Sequence, residues 1–125
     1  MKIHESAENY LETILVLQQR TGSVRSIDIA NELEFSKPSV SVAMKNLRTN
    51  GYIEVDKSGQ IHLLPEGLEI AQQVLEKHKL LTGFLVSIGV SPETAAEDAC
   101  RIEHVLSNES FEAMKAFVHR QQESN

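Results

Sequence analysis

The feature that most constrains this chain is a change of hydrophobic period after residue 51. Before that point, apolar residues recur at helical spacing, as at Val40, Met44 and Leu47. After it, two short runs at residues 52–55 and 60–63 flank a turn-forming segment, which predicts a β-hairpin. Helical spacing then returns and continues almost to the end of the chain. The predicted element order is therefore three helices, a hairpin and three further helices.

Capping and turn residues divide the first helical region. A helix over residues 5–20 should end at a Thr-Gly-Ser segment, and Ser26 is a candidate N-cap of a short second helix. Pro38 suits the first turn of a third helix, which Asn50 and Gly51 should end. Two helices joined by a tight turn and followed by a hairpin indicate a winged helix-turn-helix.

Three helices are predicted after the hairpin. The first runs over residues 65–88, and the second begins with Ser91 as N-cap and reaches about Ser107. The third covers residues 108–118 and is followed by a frayed tail at residues 121–125. We therefore expect a mainly α fold with a small β-hairpin. We expect a winged helix-turn-helix domain (1–64) to precede a second, helical domain (65–125).

The composition indicates a folded chain in a reducing compartment. Hydrophobic residues make up 41% of the 125 residues and charged residues 24%, which are ordinary values for a globular domain. The only cysteine, Cys100, excludes an internal disulfide and suits a cytosolic protein. No apolar run is long enough for a membrane span, and the N-terminus lacks the apolar run of a signal peptide. The expected location is therefore cytoplasmic, with no membrane partner.

The net charge of −6 argues against a protein that coats nucleic acid, but this charge is unevenly distributed. Residues 1–64 carry −1 and residues 65–125 carry −5, while residues 35–53 contain three basic residues and no acidic residue. Such a segment could be a solvated amphipathic helix, but the hairpin after it favours DNA binding. Hydroxyls and basic groups there suit phosphate and base-edge contacts. The candidate DNA-binding residues are Arg25, Ser36, Lys37, Pro38, Ser39, Ser41, Lys45, Arg48 and Lys57.

Three candidate metal ligands lie close together near the end of the predicted fifth helix. Cys100, Glu103 and His104 have i, i+3 and i+4 spacing, which would place them on one helical face. A thiolate, a carboxylate and an imidazole are competent ligands for a divalent transition metal ion. Alone, the cysteine could be a small buried apolar residue and the histidine an interior one. Together they favour a metal site.

Three further residues could contribute ligands to such a site. His78 follows the apolar positions of the fourth helix and should face inward, although a single histidine is more often structural. Asn9 and Glu12 lie three residues apart in the first helix, beside its apolar side. Glu12 considered alone would be a solvated surface charge.

Four segments of the chain resemble the diphtheria-toxin-repressor family of metal-dependent transcriptional repressors, which includes iron-dependent and manganese-transport regulators. They are ESAENYLE at residues 5–12, SKPSVS at 36–41, KHKLL at 77–81 and EDACRIEHVLS at 97–107. The resemblance covers nearly the whole chain, and its last segment is the most specific. It implies a metal-activated repressor of the short form, without the SH3-like domain that the iron branch often carries.

The resemblance also implies a set of metal ligands. In the family, residues matching Cys100, Glu103 and His104 bind the regulatory metal together with a first-helix residue matching Asn9. The iron branch has Met at that first-helix position and Cys at the position of Cys100, whereas the manganese branch has Asp and Glu. Asn9 matches neither branch. The softness of the Cys100 thiolate favours Fe²⁺ over Mn²⁺, whereas Glu12 favours Mn²⁺.

A second metal ion is implied less directly. The manganese branch adds ligands matching Glu12 and His78, so Glu12, His78 and Glu103 could hold a second ion. The iron branch places its second site at residues matching His78, Thr82 and Ala96, of which only His78 is a good ligand here. The expected cofactor is therefore Fe²⁺ or Mn²⁺, with one or two ions per chain.

The expected partners are double-stranded DNA and a second copy of the chain. Apolar residues in the last part of the chain exceed what a small bundle needs, which predicts a two-fold homodimer on a pseudo-palindromic operator. The better-known iron regulator has Gln where this chain has Val42, so its operator sequence does not transfer. The residues expected at the dimer surface are Val105, Leu106, Phe111, Met114 and Phe117.

Two other functions are consistent with parts of the sequence. One is a metal-independent winged-helix regulator that senses a small molecule. The other is a metal hydrolase, which would need an open metal position, a base and a substrate pocket. The sequence has no dedicated motif such as His-Glu-x-x-His, so we expect no enzymatic activity.

Overall fold

The computed structural model describes residues 5–123. It confirms a mainly helical chain with one antiparallel hairpin, in the predicted order of elements. The elements are α1 (Glu5–Thr21), α2 (Ser26–Leu33), α3 (Lys37–Thr49), β1 (Ile53–Val55), β2 (Ile61–Leu63), α4 (Pro65–Ser87), α5 (Pro92–Ile102) and α6 (Asn108–Glu123). Across residues 5–123, no helix combines the length and the apolarity that a membrane crossing requires.

The chain forms two compact units, and the division between them falls inside α4. The first unit ends at Gln73 and the second begins at Val74. The first unit contains the helix-turn-helix, the hairpin and the start of α4, and the second contains the rest of α4 with α5 and α6. The domain boundary at residue 64, where helical spacing returns in the sequence, stays a prediction.

The core of the first unit is aliphatic, as expected for a chain without Trp. Side chains from all three N-terminal helices and from β1 are almost completely removed from solvent. Buried apolar residues three or four positions apart recur in α1 and α3, as at Leu11 and Ile14 or Val40 and Met44. The most deeply buried of these residues are Leu11, Ile14, Ile29, Val40 and Ile53.

The helix-turn-helix begins one residue earlier than the expected Ser26 cap. Arg25 occupies the N-cap position of α2, with extended backbone angles of φ −123° and ψ 163°. Its N–H donates to Asp28 Oδ2 at 2.9 Å, as in one half of a capping box. Because the Asp28 N–H donates to the Arg25 carbonyl at 3.0 Å, this donor is satisfied without a hydroxyl at the N-cap. The prediction of Ser26 as the cap was therefore wrong.

The predicted start of α3 is confirmed. Ser36 is the N-cap, and its Oγ accepts a hydrogen bond from the Ser39 N–H at 3.3 Å. The Ser36 hydroxyl also donates to Ser39 Oγ at 2.8 Å. Pro38 lies in the first turn, where an N–H would have no intrahelical acceptor. The residues of the turn thus fix the point at which the third helix begins.

The hairpin is attached to the helices through its backbone and its apolar face. In the antiparallel register, Val55 lies opposite Ile61 and Glu54 lies opposite His62. The Ile61 N–H donates to the Val24 carbonyl at 2.7 Å, so the segment before α2 extends the edge of the hairpin. Ile53 and Ile61 are buried. The hairpin therefore has the position of the wing in a winged helix.

A close backbone approach requires glycine at the start of α4. A β-carbon added to Gly67 would collide with the carbonyl oxygen of Tyr52. The same carbonyl accepts a hydrogen bond from the Leu64 N–H at 2.9 Å. The first turn of α4 thus lies directly against the chain entering β1, and this contact leaves no room for a side chain.

The second unit packs the rest of α4 with α5 and α6 around a small core. Its buried residues are Val74, Leu81, Ala95, Ala99 and Phe111. The ammonium groups of Lys77 and Lys115 lie 5.8 and 5.9 Å from the centroid of the Phe111 ring. Lys115 also forms an ion pair with Glu76 of α4.

The predicted ends of the last two helices were wrong. Helix α5 ends at Ile102 rather than near Ser107. The Ser107 Oγ accepts a hydrogen bond from the Ser110 N–H at 3.1 Å and caps the start of α6. The N–H groups of residues 105 and 106 instead turn back to the Ile102 carbonyl. Helix α6 continues to Glu123, so residues 121–123 of the predicted tail are helical. Residues 124 and 125 lie outside the described residues.

Candidate metal centre and nucleic-acid interface

A buried carboxylate lies at the centre of the candidate metal site. Glu103 is 1% exposed and follows the last residue of α5, with helical backbone angles. One carboxylate oxygen, Oε2, lies 2.9 Å from Nδ1 of His78 in α4. The other, Oε1, lies 3.4 Å from Nε2 of His104, whose side chain is only 3% exposed. The second unit thus brings one carboxylate and two imidazoles together.

The Glu103 carboxylate has incomplete hydrogen bonding. Its Oε1 has no hydrogen-bond partner among the described residues, because the contact with His104 lacks hydrogen-bond geometry. A buried carboxylate oxygen without a donor is costly, and an ion at that position is one of the few ways to compensate it. Carboxylate and imidazole are also ligands that iron and manganese accept. The residues present therefore fit a divalent metal ion.

Thr82 is a buried polar group that the ligand prediction did not include. It lies one turn after His78 in α4, and its Oγ1 has no hydrogen-bond partner among the described residues. A threonine inside a helix usually bonds to the carbonyl four residues earlier. The resemblance to the iron branch pointed to this position, but threonine was not expected to be a good ligand; its i, i+4 spacing from His78 is a second signal in the sequence.

The structure separates Cys100 from the other two residues of the predicted cluster by exposure. Cys100 is exposed in α5, whereas Glu103 and His104 are buried after the end of that helix. The expectation that Glu103 and His104 lie within α5 was wrong, although the Glu103 N–H still donates to the Ala99 carbonyl at 2.9 Å. The assignment of Cys100 as a ligand stays a prediction.

The two candidates in the first helix differ in burial. Glu12 is 8% exposed, so the expectation that it could be a solvated surface charge was wrong. Carboxylates are rarely buried unless they are paired or bind a metal. Asn9 is half-buried, and its backbone carbonyl accepts a hydrogen bond from the Thr13 hydroxyl at 2.8 Å.

All nine candidate DNA-binding residues are exposed in the first unit. Helix α3 buries Val40, Met44 and Leu47, and its opposite side carries the basic and hydroxyl side chains. The helix N-terminus and its hydroxyls add partial positive charge and donors at that end. The exposed surface of α3 therefore has the chemistry that phosphate and base edges require.

The remaining basic candidates lie at the wing. Lys57 is exposed in the hairpin turn, and the Arg25 guanidinium lies beside that turn. Its Nη1 would be 3.5 Å from a β-carbon placed on Gly59. The wing turn thus presents two cations within the same unit as α3.

The hairpin turn contains a hydrogen-bond network that the sequence analysis did not identify. Asp56 Oδ1 accepts from the Ser58 N–H, the Ser58 hydroxyl and the Gln60 N–H, at 2.7 to 3.0 Å. Asp56 Oδ2 lies 3.0 Å from Nε2 of His62. These bonds hold the pKa of the Asp56 carboxyl well below its usual range, and the bond from the Ser58 hydroxyl has the largest effect. The Asp-x-Ser-Gly order of the turn was the available signal.

The predicted dimer surface is only partly exposed. Phe111 is 5% exposed and belongs to the core of the second unit, so its inclusion in that surface was wrong. Val105 and Phe117 are exposed by 76% and 46%, respectively. Helices α4 and α6 form an open groove of about 780 Å³, lined in part by Phe84, Ile88 and Phe117.

Two family models match the chain, one over each half. The model described as "Iron dependent repressor, N-terminal DNA binding domain" matches residues 2–61. The model described as "Iron dependent repressor, metal binding and dimerisation domain" matches residues 64–124. Together they cover both the helix-turn-helix with its wing and the helices that carry the buried carboxylate.

Individual relatives agree with these matches. The transcriptional regulator MntR of Escherichia coli O6:H1 is 36% identical over 116 residues, which are 93% of this chain and 75% of that protein. An HTH-type transcriptional regulator of Methanocaldococcus jannaschii is 34% identical over 118 residues, 93% of this chain and 94% of that protein.

Solved structures show the same fold. The structure of the manganese regulator SloR matches with a TM-score of 0.80 and 27% identity, over 90% of this chain and 53% of that chain. This chain therefore spans about half the length of that solved protein. From the two family models and these relatives, we conclude that the chain belongs to the iron-dependent repressor family, also called the diphtheria-toxin-repressor family, of metal-dependent transcriptional regulators.

Proposed function

We propose that this protein is a metal-dependent, DNA-binding transcriptional repressor of metal-ion homeostasis that is activated by Fe²⁺ or Mn²⁺. The observation that carries the proposal is the buried Glu103 carboxylate, which lies between two imidazoles with one oxygen lacking a donor. The exposed basic helix and wing in the other unit supply a surface suited to DNA. Family membership supports both parts of the proposal.

Six residues are proposed to hold one or two ions per chain. One ion would use Cys100, Glu103 and His104 with a ligand from Asn9, and a second would use Glu12 and His78 with Glu103. The resemblance to the family and the burial of both glutamates support this assignment. A bound divalent ion supplies positive charge that compensates the buried carboxylates.

The proposed ligands come from both units of the chain, which suggests how the metal could control DNA binding. An ion that binds one arrangement of the two units more tightly stabilises that arrangement by the difference in affinity. If this arrangement orients α3 and the wing for DNA, metal binding increases DNA affinity, and DNA binding increases metal affinity by the same factor.

The proposed partners are double-stranded DNA and a second copy of the chain. Two copies related by a two-fold axis would place two α3 helices on the half-sites of a pseudo-palindromic operator. The nine exposed candidates on α3 and the wing would contact the duplex, with Lys37, Lys45 and Arg48 as the main phosphate ligands of α3. The groove between α4 and α6 is the proposed surface for the second copy.

The proposal is tested by measuring DNA binding at fixed salt concentration under anaerobic conditions. A sequence selected from randomised duplexes serves as the probe, with Fe²⁺, with Mn²⁺, or with a chelator. Each metal alone is expected to increase affinity, since coupling energies between two binding sites typically correspond to about 5- to 150-fold. Equal affinity in all three conditions would contradict metal control and favour a metal-independent regulator.

Two variants and one control locate the effect at the site. Glu103→Gln preserves the shape of the side chain but removes its charge, and His104→Ala removes the neighbouring imidazole. Both variants should lose metal activation while retaining the helical circular-dichroism spectrum. The matched control Glu93→Gln removes an exposed carboxylate at the start of α5, outside the lining of the α4–α6 groove, and should behave like the unmodified protein. If all three variants retain activation, the ion is bound elsewhere.

The metal response also needs a dose dependence for each ion. Nitrogen and sulfur ligands bind Zn²⁺ and Co²⁺ more tightly than Mn²⁺ or Fe²⁺, so binding in the test tube does not identify the physiological metal. The informative measurement is the free metal concentration at half-maximal DNA binding, compared with the cellular concentration of that metal.

A further inference from the structure

Val42 is an apolar side chain at the centre of the exposed face of α3. It is 61% exposed, although it lies in the interior of the helix. At 3.6 residues per turn, position 42 lies on the side opposite the buried Val40, Met44 and Leu47. A branched apolar side chain in this position contributes little to the core. The fold therefore gives no reason for valine here.

The neighbours of Val42 on this face are polar or belong to the first turn of the helix. One turn before it lie Pro38 and Ser39, and one turn after it lie Lys45 and Asn46, all of them exposed. Apart from the Pro38 ring, the groups around the valine on this face are hydroxyl, amide and ammonium groups, so the apolar area here is small. A protein or lipid partner that bound through apolar area would require a larger patch. The occupant should instead be a small apolar group on a mainly polar, negatively charged partner.

We propose that Val42 selects thymine in the operator by packing against its 5-methyl group. This inference rests on the proposed function, because it requires α3 to enter the major groove. Among the unmodified base edges in that groove, only thymine presents a methyl group, and the other edges present hydrogen-bond donors and acceptors. Valine has no hydrogen-bonding group in its side chain, so it can favour a base only through such an apolar contact. The neighbouring lysine and hydroxyls supply the polar contacts around it.

Replacement of thymine by deoxyuridine tests this contact, because it removes only the methyl group. The duplex is the sequence that the metal-loaded protein selects from a randomised library, and each thymine of one half-site is replaced in turn. At one position, the unmodified protein should bind the deoxyuridine duplex about fourfold more weakly, as expected for the loss of one buried methyl group.

Two matched serine variants show which residue makes the contact. Val42→Ser should bind the thymine and deoxyuridine duplexes equally at that position, whereas Asn46→Ser should keep the fourfold difference. Both positions are exposed, so neither change should alter the thermal unfolding midpoint.

Three results would overturn the inference. The first is that Val42→Ser still binds the deoxyuridine duplex fourfold more weakly than the thymine duplex. The second is that Asn46→Ser, and not Val42→Ser, loses this difference. The third is that no thymine of the selected half-site shows a loss of affinity on replacement by deoxyuridine. In each case the protein has still selected DNA, so the proposed function stands while the role of Val42 fails. If no duplex is selected with metal bound, the proposed function fails and this inference fails with it.

Discussion

Individual side chains determine the geometry of the turn between α2 and α3. Glu34 has φ 58° and ψ 37°, a left-handed conformation that no other non-glycine residue adopts among those described. In this position its N–H closes α2 on the Ala30 carbonyl. A side chain in this conformation is strained, and glycine is the residue that tolerates it best. The turn of the helix-turn-helix thus contains a locally unfavourable residue.

Replacement of Glu34 by glycine should stabilise the first unit. Glu34→Gly relieves the left-handed strain, which is about 1 kcal/mol per residue, and urea unfolding monitored by circular dichroism measures the change. Glu32→Gly is the matched control, because it removes the same side chain from the helical backbone of α2. It should lower stability by about 1 kcal/mol or slightly more, since glycine is a poor helix former and the exposed ion pair of Glu32 with Arg20 is lost. Destabilisation by both changes would show that Glu34 is not strained.

The wing turn should depend on the charge of Asp56. Its hydrogen bonds favour the carboxylate, so its pKa is lowered on folding. The stabilisation is complete above the ordinary aspartate pKa of about 3.9 and is lost as the pH falls below it toward the lowered value. Carboxyl-carbon NMR titration should give a midpoint below the ordinary value. Ser58→Ala should move that midpoint upward, and an unchanged midpoint would contradict the assigned cause.

The contacts between elements depend on small residues as much as on apolar ones. Gly67 lies in the first turn of α4, against the carbonyl of Tyr52, which also accepts the Leu64 N–H. Gly83 lies later in the same helix, with no atom within 4 Å of an added β-carbon. Two glycines in one helix thus have different roles, and only the structure distinguishes them.

This difference predicts opposite effects of the same substitution. Gly67→Ala should lower the free energy of unfolding by about 1–3 kcal/mol, because backbone must move to accommodate the methyl group. Gly83→Ala should raise it by up to about 1 kcal/mol through helix propensity. Thermal unfolding of the two variants measures both effects, and stabilisation by Gly67→Ala would contradict the close contact.

The elements were predictable where the sequence marks their ends. Gly22, Gly51 and Gly89 are left-handed and follow the ends of α1, α3 and α4, as their positions in the sequence suggested. No glycine or proline marks the end of α5, and Ser107 could equally have continued that helix. The Ser110 N–H donates to the Ser107 Oγ, so Ser107 belongs to the start of α6 and not to α5. The spacing of apolar residues in the sequence does not reveal this bond.

The candidate metal site was predictable in composition but not in geometry. The residue types of Glu103, His104 and His78 were sufficient to suggest ligands. Their burial and the 2.9 Å contact between Glu103 and His78 depend on how α4 packs beside the turn after α5. The exposure of Cys100 and the early end of α5 were likewise not revealed by the sequence.

At the scale of the whole molecule, charge is unevenly distributed along the chain. The net charge of −6 lies mostly after residue 64, whereas the exposed face of α3 is basic. Acidic residues weaken attraction to phosphate, which supplies most non-specific DNA affinity. The composition therefore suits a repressor with low affinity for random DNA in the absence of metal, consistent with the proposed control of operator binding.

The proposed dimer surface can be tested with one residue of the groove. Phe117→Asp places a charge in the groove between α4 and α6 and should reduce dimerisation, measured by sedimentation equilibrium. Ala113→Asp introduces the same charge at an exposed position of α6 outside the lining of that groove. It should leave the dimer unchanged. Equal dissociation of both variants, or of neither, would exclude the groove as the interface.

The buried Glu103 carboxylate also has a consequence for the lifetime of the protein. Without an ion, its unpartnered oxygen lowers the stability of every folded molecule. A ligand that binds only the folded state reduces the fraction of molecules open to proteolysis. Metal scarcity would then remove repressor molecules through degradation as well as silence them. When metal returns, repression of the regulated genes would then recover only as fast as new chains are synthesised.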